Sequence, residues 1–238
     1  MRRAREGAPG RLWVVAGEQT QGRGRSGRSW TSPRGNLYAS LILVDPSPGE
    51  VMPQLGFVAG LALIHAVRPL VGHDDELAIK WPNDLLHAGA KLAGVLLEGV
   101  RLADGRAACV IGFGVNCVSH PDVAYPTTDL ASVGASCGAA DVFEALSHEW
   151  PQWLARWNRG GGFSAIRDAW LANARGVNKS VRIARGGASL EGVFQTIDMQ
   201  GRLVIGTAQG TRAIEAGDVF LLDAQSGAGL SDHEETHG

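Results

Sequence analysis

The segment Gly22-Arg23-Gly24-Arg25-Ser26-Gly27-Arg28 constrains this chain more than any other. It lies between two apolar runs: Leu12 to Gly17, read as a buried strand, and Leu37 to Val44, read as a second strand. Glycine lets a backbone turn tightly and approach a ligand closely. Guanidinium forks and free backbone N–H groups both receive carboxylate or phosphate. The residues describe a loop that holds a small anion between two strands, and they mark the active site of an enzyme.

Three look-alikes fail on context. Gly22, Gly24 and Gly27 satisfy G-x-G-x-x-G, but that fingerprint needs a helix opening directly on its last glycine. Trp30-Thr31-Ser32-Pro33-Arg34-Gly35 follows instead and cannot start one. A Walker A loop would end in Gly-Lys-Ser/Thr, which is missing. Gly-Arg segments that bind RNA are usually repeated in disordered tails. This one occurs once, in a chain of net charge -2 and pI about 6.4. That balance provides no global field toward nucleic acid or an anionic membrane.

Other chemistries are set aside on composition. Cys109, Cys117 and Cys137 contain no Cys-x-x-Cys pair, so they read as buried free thiols of a reducing cytoplasm. His233 and His237 have helical metal-pair spacing, but they sit in a polar tail with no apolar face, and no metal site is expected. Phe57 to Leu70 is the most apolar run, yet it carries His65 and Arg68 and reads as a buried helix, not a membrane span. Arginines near the N-terminus precede no apolar signal region, and the expected compartment is the cytoplasm.

The rest of the chain divides in two. Helical spacing runs from Pro53 to Val67, and a short strand from Leu77 to Trp81 closes on Pro82-Asn83-Asp84. Lys91 to Val100 and Ala107 to Val115 read as strands joined at Asp104-Gly105. After Asn116 the chain is irregular to Gly138, where Asp141 is expected to cap a helix to about Trp157, with Trp150, Trp153 and Trp157 on one face. A further helix is expected from about Phe163 to Ala174. Near Gly176 the pattern changes to short alternating strands: Val181 to Ala184, Ser189 to Ile197, Leu203 to Thr207, Thr211 to Ile214 and Val219 to Leu222. They suggest a small β-barrel. The expected organisation is a catalytic domain over 1–176, a barrel over 177–223 and a disordered tail over 224–238.

Three more segments supply polar groups at strand ends: Lys80-Trp81-Pro82-Asn83-Asp84, Lys91-Leu92-Ala93-Gly94 and Gly112-Phe113-Gly114-Val115-Asn116. Singly, each suits an ordinary strand end, since glycines in strands often just admit a close neighbour. In this order, with Gln19 to Trp30, they resemble the biotin protein ligase family over nearly the whole chain from Leu12 to about Leu222. The resemblance implies an α+β fold: a mixed β-sheet packed with helices, of the class II synthetase-like biotin/lipoate ligase type, followed by an SH3-like barrel. It implies formation of biotinyl-AMP from biotin and Mg2+-ATP, then transfer to a lysine of a biotin carboxyl carrier protein.

By the same resemblance the catalytic residues are Lys91, Arg25 and Asp84. Lys91 would bridge carboxylate and phosphate, and Asp84 would orient or deprotonate the acceptor lysine. The ligand-binding residues are Gln19, Gly22, Arg23, Gly24, Arg25, Trp30, Asn83, Lys91, Gly94, Gly114 and Asn116. Trp30 would lie against adenine, while Asn83 and Asn116 would position the nucleotide. Family members that act as repressors carry an N-terminal winged helix-turn-helix. None fits before Leu12, so DNA binding is not expected. Met1 to Gly10 resembles the last turns of a helix that in the family carries a Ser-Thr-Asn motif, which implies an internal start or a truncated chain. A homodimer is left open. The rivals are a lipoate or octanoate ligase and a non-catalytic biotin-sensing protein.

Overall fold

Along Ala107–Val115 the residues Cys109, Ile111, Phe113 and Val115 belong to the main apolar core, while Gly112 and Gly114 between them carry no side chain. Strand alternation sends these two sets to opposite faces. One face of the sheet is therefore built to receive helices and the other to leave room.

The computed structural model describes residues 1–72, 75–185, 187–215 and 217–222. The tail expected to be disordered, with His233 and His237, lies outside the described residues. The first sheet contains β1 (Leu12–Ala16), β2 (Leu37–Val44), β3 (Leu77–Lys80), β4 (Asp84–His87), β5 (Ala90–Arg101) and β6 (Ala107–Val115). Their order is β1-β2-β6-β5-β4-β3, with antiparallel ladders throughout. Isolated parallel bridges, Ile79 with Ala174 and Lys91 with Thr127, add the mixed component.

A short helix α1 (Arg2–Arg5) is followed by α2 (Leu55–Val67), α3 (Ala139–Trp157) and α4 (Phe163–Ala172). The stretch Gly49–Val67, a 3₁₀ turn leading into α2, has mean hydropathy 1.4 and is 67% buried within the protein. A helix apolar on every side belongs in a core. This one packs among Leu41, Val95, Ile111, Trp153 and Trp170, all in the same apolar cluster. Trp150, Trp153 and Trp157 share the inward face of α3, and Trp157 Nε1 donates to Gln54 Oε1 at 2.8 Å.

The second sheet has the order β10-β9-β8-β7-β11, formed by β7 (Ser180–Arg185), β8 (Ala188–Ile197), β9 (Leu203–Thr207), β10 (Gly210–Ile214) and β11 (Asp218–Leu221). Its inward residues Val181, Ile183, Phe194, Ile205 and Val219 join the core of the first sheet without a break. Arg167 on α4 pins the junction, donating to Thr196 Oγ1 at 2.7 Å and to the Ile197 carbonyl.

Three local expectations change. β1 is an edge strand paired with β2 alone, so Val14 and Val15 are 36% and 51% exposed where a buried strand was expected. Asp141 is not the cap residue of α3. Gly138 is, and its N–H donates to Asp141 Oδ2 at 2.7 Å from the third helical position. β4 was not foreseen: it is four residues long, too short for a periodic signal, and begins inside the Pro82-Asn83-Asp84 turn.

Candidate active site

The site grows from the glycines of β5 and β6. Gly94 pairs directly with Gly114, and Gly112 lies between Ser40 and Leu96 in the neighbouring ladders. The missing side chains leave a flat floor on the face away from α2 and α3. Trp30 lies on that floor. A Cβ placed on Gly114 would fall 2.7 Å from Trp30 Cε2, and one on Gly94 would fall 3.3 Å from Trp30 Cζ3. Trp30 Nε1 is buried there with no hydrogen-bond partner.

The loop that delivers Trp30 is a narrow excursion closed by its own backbone. Gly24 N–H donates to the Arg28 carbonyl at 2.7 Å, Trp30 N–H donates to the Gly22 carbonyl at 2.9 Å, and Arg23 bridges to Ser29. At the tip, Arg25–Gly27 makes one 3₁₀ turn with Ser26 at φ 55° and Gly27 at φ 74°. The next element after this turn is β2, with no helix between them. At Gly22 a Cβ would fall 2.3 Å from the Trp30 carbonyl and 2.6 Å from Ser32 Oγ. Gly22 is thus required by the closeness of the two arms.

Each loop arginine reaches a different wall. Arg23 pairs with Glu98 of β5 at 2.8 Å, and Arg28 pairs with Asp218 of β11 at 2.9 Å. Arg25 Nη1 stands 3.5 Å from Asn83 Oδ1. Burial lowers the Arg25 pKa, while Asp218 and Asp84 pull it back up. The hydrogen bond to Asp218 raises that of Arg28.

Opposite the loop, Lys91 at the start of β5 meets Asp84 at the start of β4. Lys91 Nζ is 2.7 Å from Asp84 Oδ1, and Lys80 Nζ is 3.4 Å from Asp84 Oδ2. The antiparallel registers put Lys80 across from Asp84 and Asp84 across from Gly94. One carboxylate therefore holds two ammonium groups at the edge of the floor. Lys91 Nζ also lies 5.3 Å from the Trp30 ring centroid and 5.9 Å from that of Tyr125, within cation–π range.

These groups surround a single cavity of about 650 Å³, large enough for a ligand of drug-like size. Among the expected site residues, Gln19, Arg23, Gly24, Arg25 and Trp30 of the loop line it, as do Asn83, Asp84, Lys91, Gly94 and Gly114. Gly22 and Asn116 do not. Asn116 is 2% exposed and donates from Nδ2 to the Thr128 carbonyl at 2.9 Å. It ties the segment carrying Tyr125 to the end of β6. Asn83 spends its Nδ2 on the Val95 carbonyl, leaving Oδ1 toward Arg25. Gln19 Oε1 accepts from Ser32 Oγ at 2.9 Å.

Sequence reasoning did not single out four wall residues: Glu98, Tyr125, Arg175 and Asp218. Asp218 lies 190 positions from Arg28, and nothing in the local sequence of either announces the pair. Arg175 and Tyr125 belong to irregular segments without a motif. Among the described residues no group of three His, Cys, Asp or Glu side chains could hold a metal ion.

A loop of arginines, a lysine–carboxylate couple and an aromatic on a glycine floor thus line one cavity. Residues 4–116 match the biotin/lipoate A/B protein ligase family, and 176–222 match the biotin protein ligase C terminal domain. A biotin–[acetyl-CoA-carboxylase] ligase of Paracoccus denitrificans is 36% identical, over 90% of this chain and 92% of its own. The bifunctional ligase/repressor BirA of Bacillus subtilis is 31% identical over 92% of this chain, which spans 68% of that relative. The biotin protein ligase of Aquifex aeolicus, solved with biotin and ATP, superposes with a TM-score of 0.73 at 25% identity, covering 88% of both chains. That of Leishmania major, solved with biotinyl-5-AMP, gives 0.64 at 27% identity, over 90% of this chain and 93% of its own. The chain belongs to the biotin protein ligase family.

Proposed function

We infer that the chain is a biotin protein ligase, which activates biotin with ATP to biotinyl-AMP and transfers the biotinyl group to a lysine of a carrier protein of a biotin-dependent carboxylase. The observation that carries this reading is the convergence of Arg23, Arg25 and Lys91 on one cavity whose floor, Gly94 and Gly114, holds Trp30. The homologues' names point to an acetyl-CoA carboxylase carrier as the acceptor. Mg2+ belongs with the triphosphate, as the counter-ion of that substrate.

In the first step a biotin carboxylate oxygen bonds to the α-phosphorus, and the bond to the bridging oxygen breaks to release pyrophosphate. Carboxylate and phosphate repel one another, so fixed positive charge has to offset that repulsion and hold both in line. Lys91 is pre-set for this. Its ammonium is held by Asp84 at 2.7 Å, so little reorganisation is needed when charge develops. Arg23 and Arg25 supply the charge on the loop side. The upper face of Trp30 receives adenine while its lower face rests on the glycines, and Asn83 adds a polar contact to the nucleotide.

In the second step the amine of the carrier lysine loses a proton and attacks the biotinyl carbonyl, and AMP leaves. Asp84, at the edge of the same cavity, would orient that amine or, on releasing Lys80 or Lys91, take its proton. The loop closes over the adenylate and keeps water from it. Incubating the chain with biotin, Mg2+-ATP and a purified carrier domain tests the reading. Carrier mass should rise by one biotinyl group, with one pyrophosphate released per transfer. Lipoate in a parallel reaction should give none.

A further inference from the structure

Six cations face the cavity (Arg23, Arg25, Arg28, Lys80, Lys91 and Arg175) against three carboxylates, Asp84, Glu98 and Asp218. Five of the six have a partner: Arg23 has Glu98, Arg28 has Asp218, Lys80 and Lys91 share Asp84, and Arg25 faces Asn83. Arg175 lines the cavity and makes no side-chain hydrogen bond or ion pair among the described residues. It lies just past α4, where the chain crosses to the second sheet.

Its position is nonetheless built. Arg175 N–H donates to the Ile79 carbonyl at 2.8 Å, and Ile79 N–H donates to the Asn173 carbonyl at 2.8 Å. With the parallel bridge between Ile79 and Ala174, this fixes the backbone of Arg175 against β3, one residue from Lys80. The guanidinium lies over Gly89 in the turn before Lys91. A Cβ on Gly89 would fall 3.1 Å from Arg175 Nη2, 3.4 Å from Cζ and 3.5 Å from Nη1. Gly89 has φ +86°, so the turn both requires a glycine and gives the guanidinium a flat seat. An arginine held by its backbone, with its guanidinium beside Gly89 and no carboxylate partner among the described residues, can take an anion at the cavity rim.

We propose that Arg175 binds the β- and γ-phosphates of ATP and holds the pyrophosphate leaving group at the rim of the cavity. This rests on the ligase reading and assigns a group that reading left without a site. The loop arginines and Lys91 meet the biotin carboxylate and α-phosphate, and Trp30 meets the base. The terminal phosphates carry most of the nucleotide's charge, and a planar fork suits them. Arg175 is solvent-exposed, which suits a group that must leave.

The test is steady-state pyrophosphate exchange with biotin, in wild-type chain, Arg175→Ala and Arg175→Lys. Arg175→Ala should raise the KM for ATP by roughly 10- to 100-fold, the scale of one charge-assisted contact. Inhibition by added pyrophosphate should weaken by a similar factor, with the KM for biotin unchanged. Transfer from preformed biotinyl-AMP to the carrier should keep its rate, and Arg175→Lys should recover part of the ATP effect. An unchanged KM for ATP and unchanged pyrophosphate inhibition overturn the proposal. So does an equal loss in transfer from biotinyl-AMP, which marks a structural role, or a rise confined to the KM for carrier, which marks a docking role. No exchange by the wild-type chain refutes the ligase reading and this inference together, whereas wild-type exchange with an unaffected Arg175→Ala refutes the inference alone.

Discussion

Replacing Gly114 by alanine tests whether the glycine floor exists to seat Trp30. The new Cβ would stand 2.7 Å from Trp30 Cε2 and 2.8 Å from both Cζ2 and Nε1. Ordinary contact begins near 3.4 Å, so the indole must lift by about 0.7 Å along most of one edge (3.4 minus 2.7). Overpacking of this kind costs roughly 1–3 kcal/mol. Trp30 lines the cavity and its Nε1 makes no hydrogen bond, so the cost should fall on ligand binding more than on folding. Converted at 1.4 kcal/mol per tenfold, the KM for ATP should rise about 5- to 150-fold, with a small change in melting temperature. Gly94→Ala meets Trp30 at only 3.3 Å and should cost a few-fold, while Gly112→Ala meets nothing nearer than Leu96 at 3.8 Å and should be neutral. Pyrophosphate exchange with varied ATP measures all three. If Gly114→Ala and Gly112→Ala give the same KM, the floor does not act through Trp30.

Further outcomes follow from the charged couples and the buried acid. Lys91→Ala should slow adenylation by roughly 10²–10³-fold, the scale of one preorganised donor, and near-normal pyrophosphate exchange in that variant contradicts its role. Asp84→Asn should slow transfer from preformed biotinyl-AMP to the carrier; an unchanged rate removes Asp84 from the second step. Asp218→Asn breaks an exposed ion pair worth no more than about 1 kcal/mol, so melting should barely move, yet the loop loses its hold on β11. Biotinyl-AMP should then escape or hydrolyse faster in the absence of carrier, and an unchanged half-life of the complex speaks against that latch. Burial raises the Asp129 pKa, but hydrogen bonds from His120 and the Ser132 N–H outweigh it, and the net shift is downward. With the folded pKa below the unfolded value, its stabilisation is present above the ordinary carboxylate pKa of about 3.9 and is lost as pH falls through the folded pKa. Urea midpoints should therefore drop less between pH 7 and pH 3 in Asp129→Asn than in the parent, and parallel pH curves refute the assignment.

Much of this was legible in the residues because the signals are local. β2 and β6 run where their apolar stretches end, and the five short strands after Gly176 fall within a residue or two of their alternating runs. The loop, Lys80 to Asp84 and Lys91 to Gly94 are each compact motifs, and the sheet brings them together through the registers of Asp84 with Gly94 and Gly94 with Gly114. What the residues did not disclose depends on partners distant in the chain. An apolar run cannot show whether a strand will be flanked on both sides, which is why β1 reads as buried and is an edge. Asn116, at the end of a glycine-rich motif, has the look of a ligand contact, but the fold turns it inward to Thr128. Asp218 and Arg175 become wall residues only when the second sheet and the crossing segment close on the loop and on Gly89.

By the proposed function, this cavity makes biotinyl-AMP and passes its acyl group to protein. Intact-mass analysis of a purified carrier domain, incubated with the chain, biotin and Mg2+-ATP, tests it most directly. A single biotinyl group should be added on one carrier lysine, roughly 10²–10³-fold more slowly with Lys91→Ala. An unmodified carrier, with biotin bound to the chain and no pyrophosphate released, would contradict it and leave a protein that senses biotin without using it.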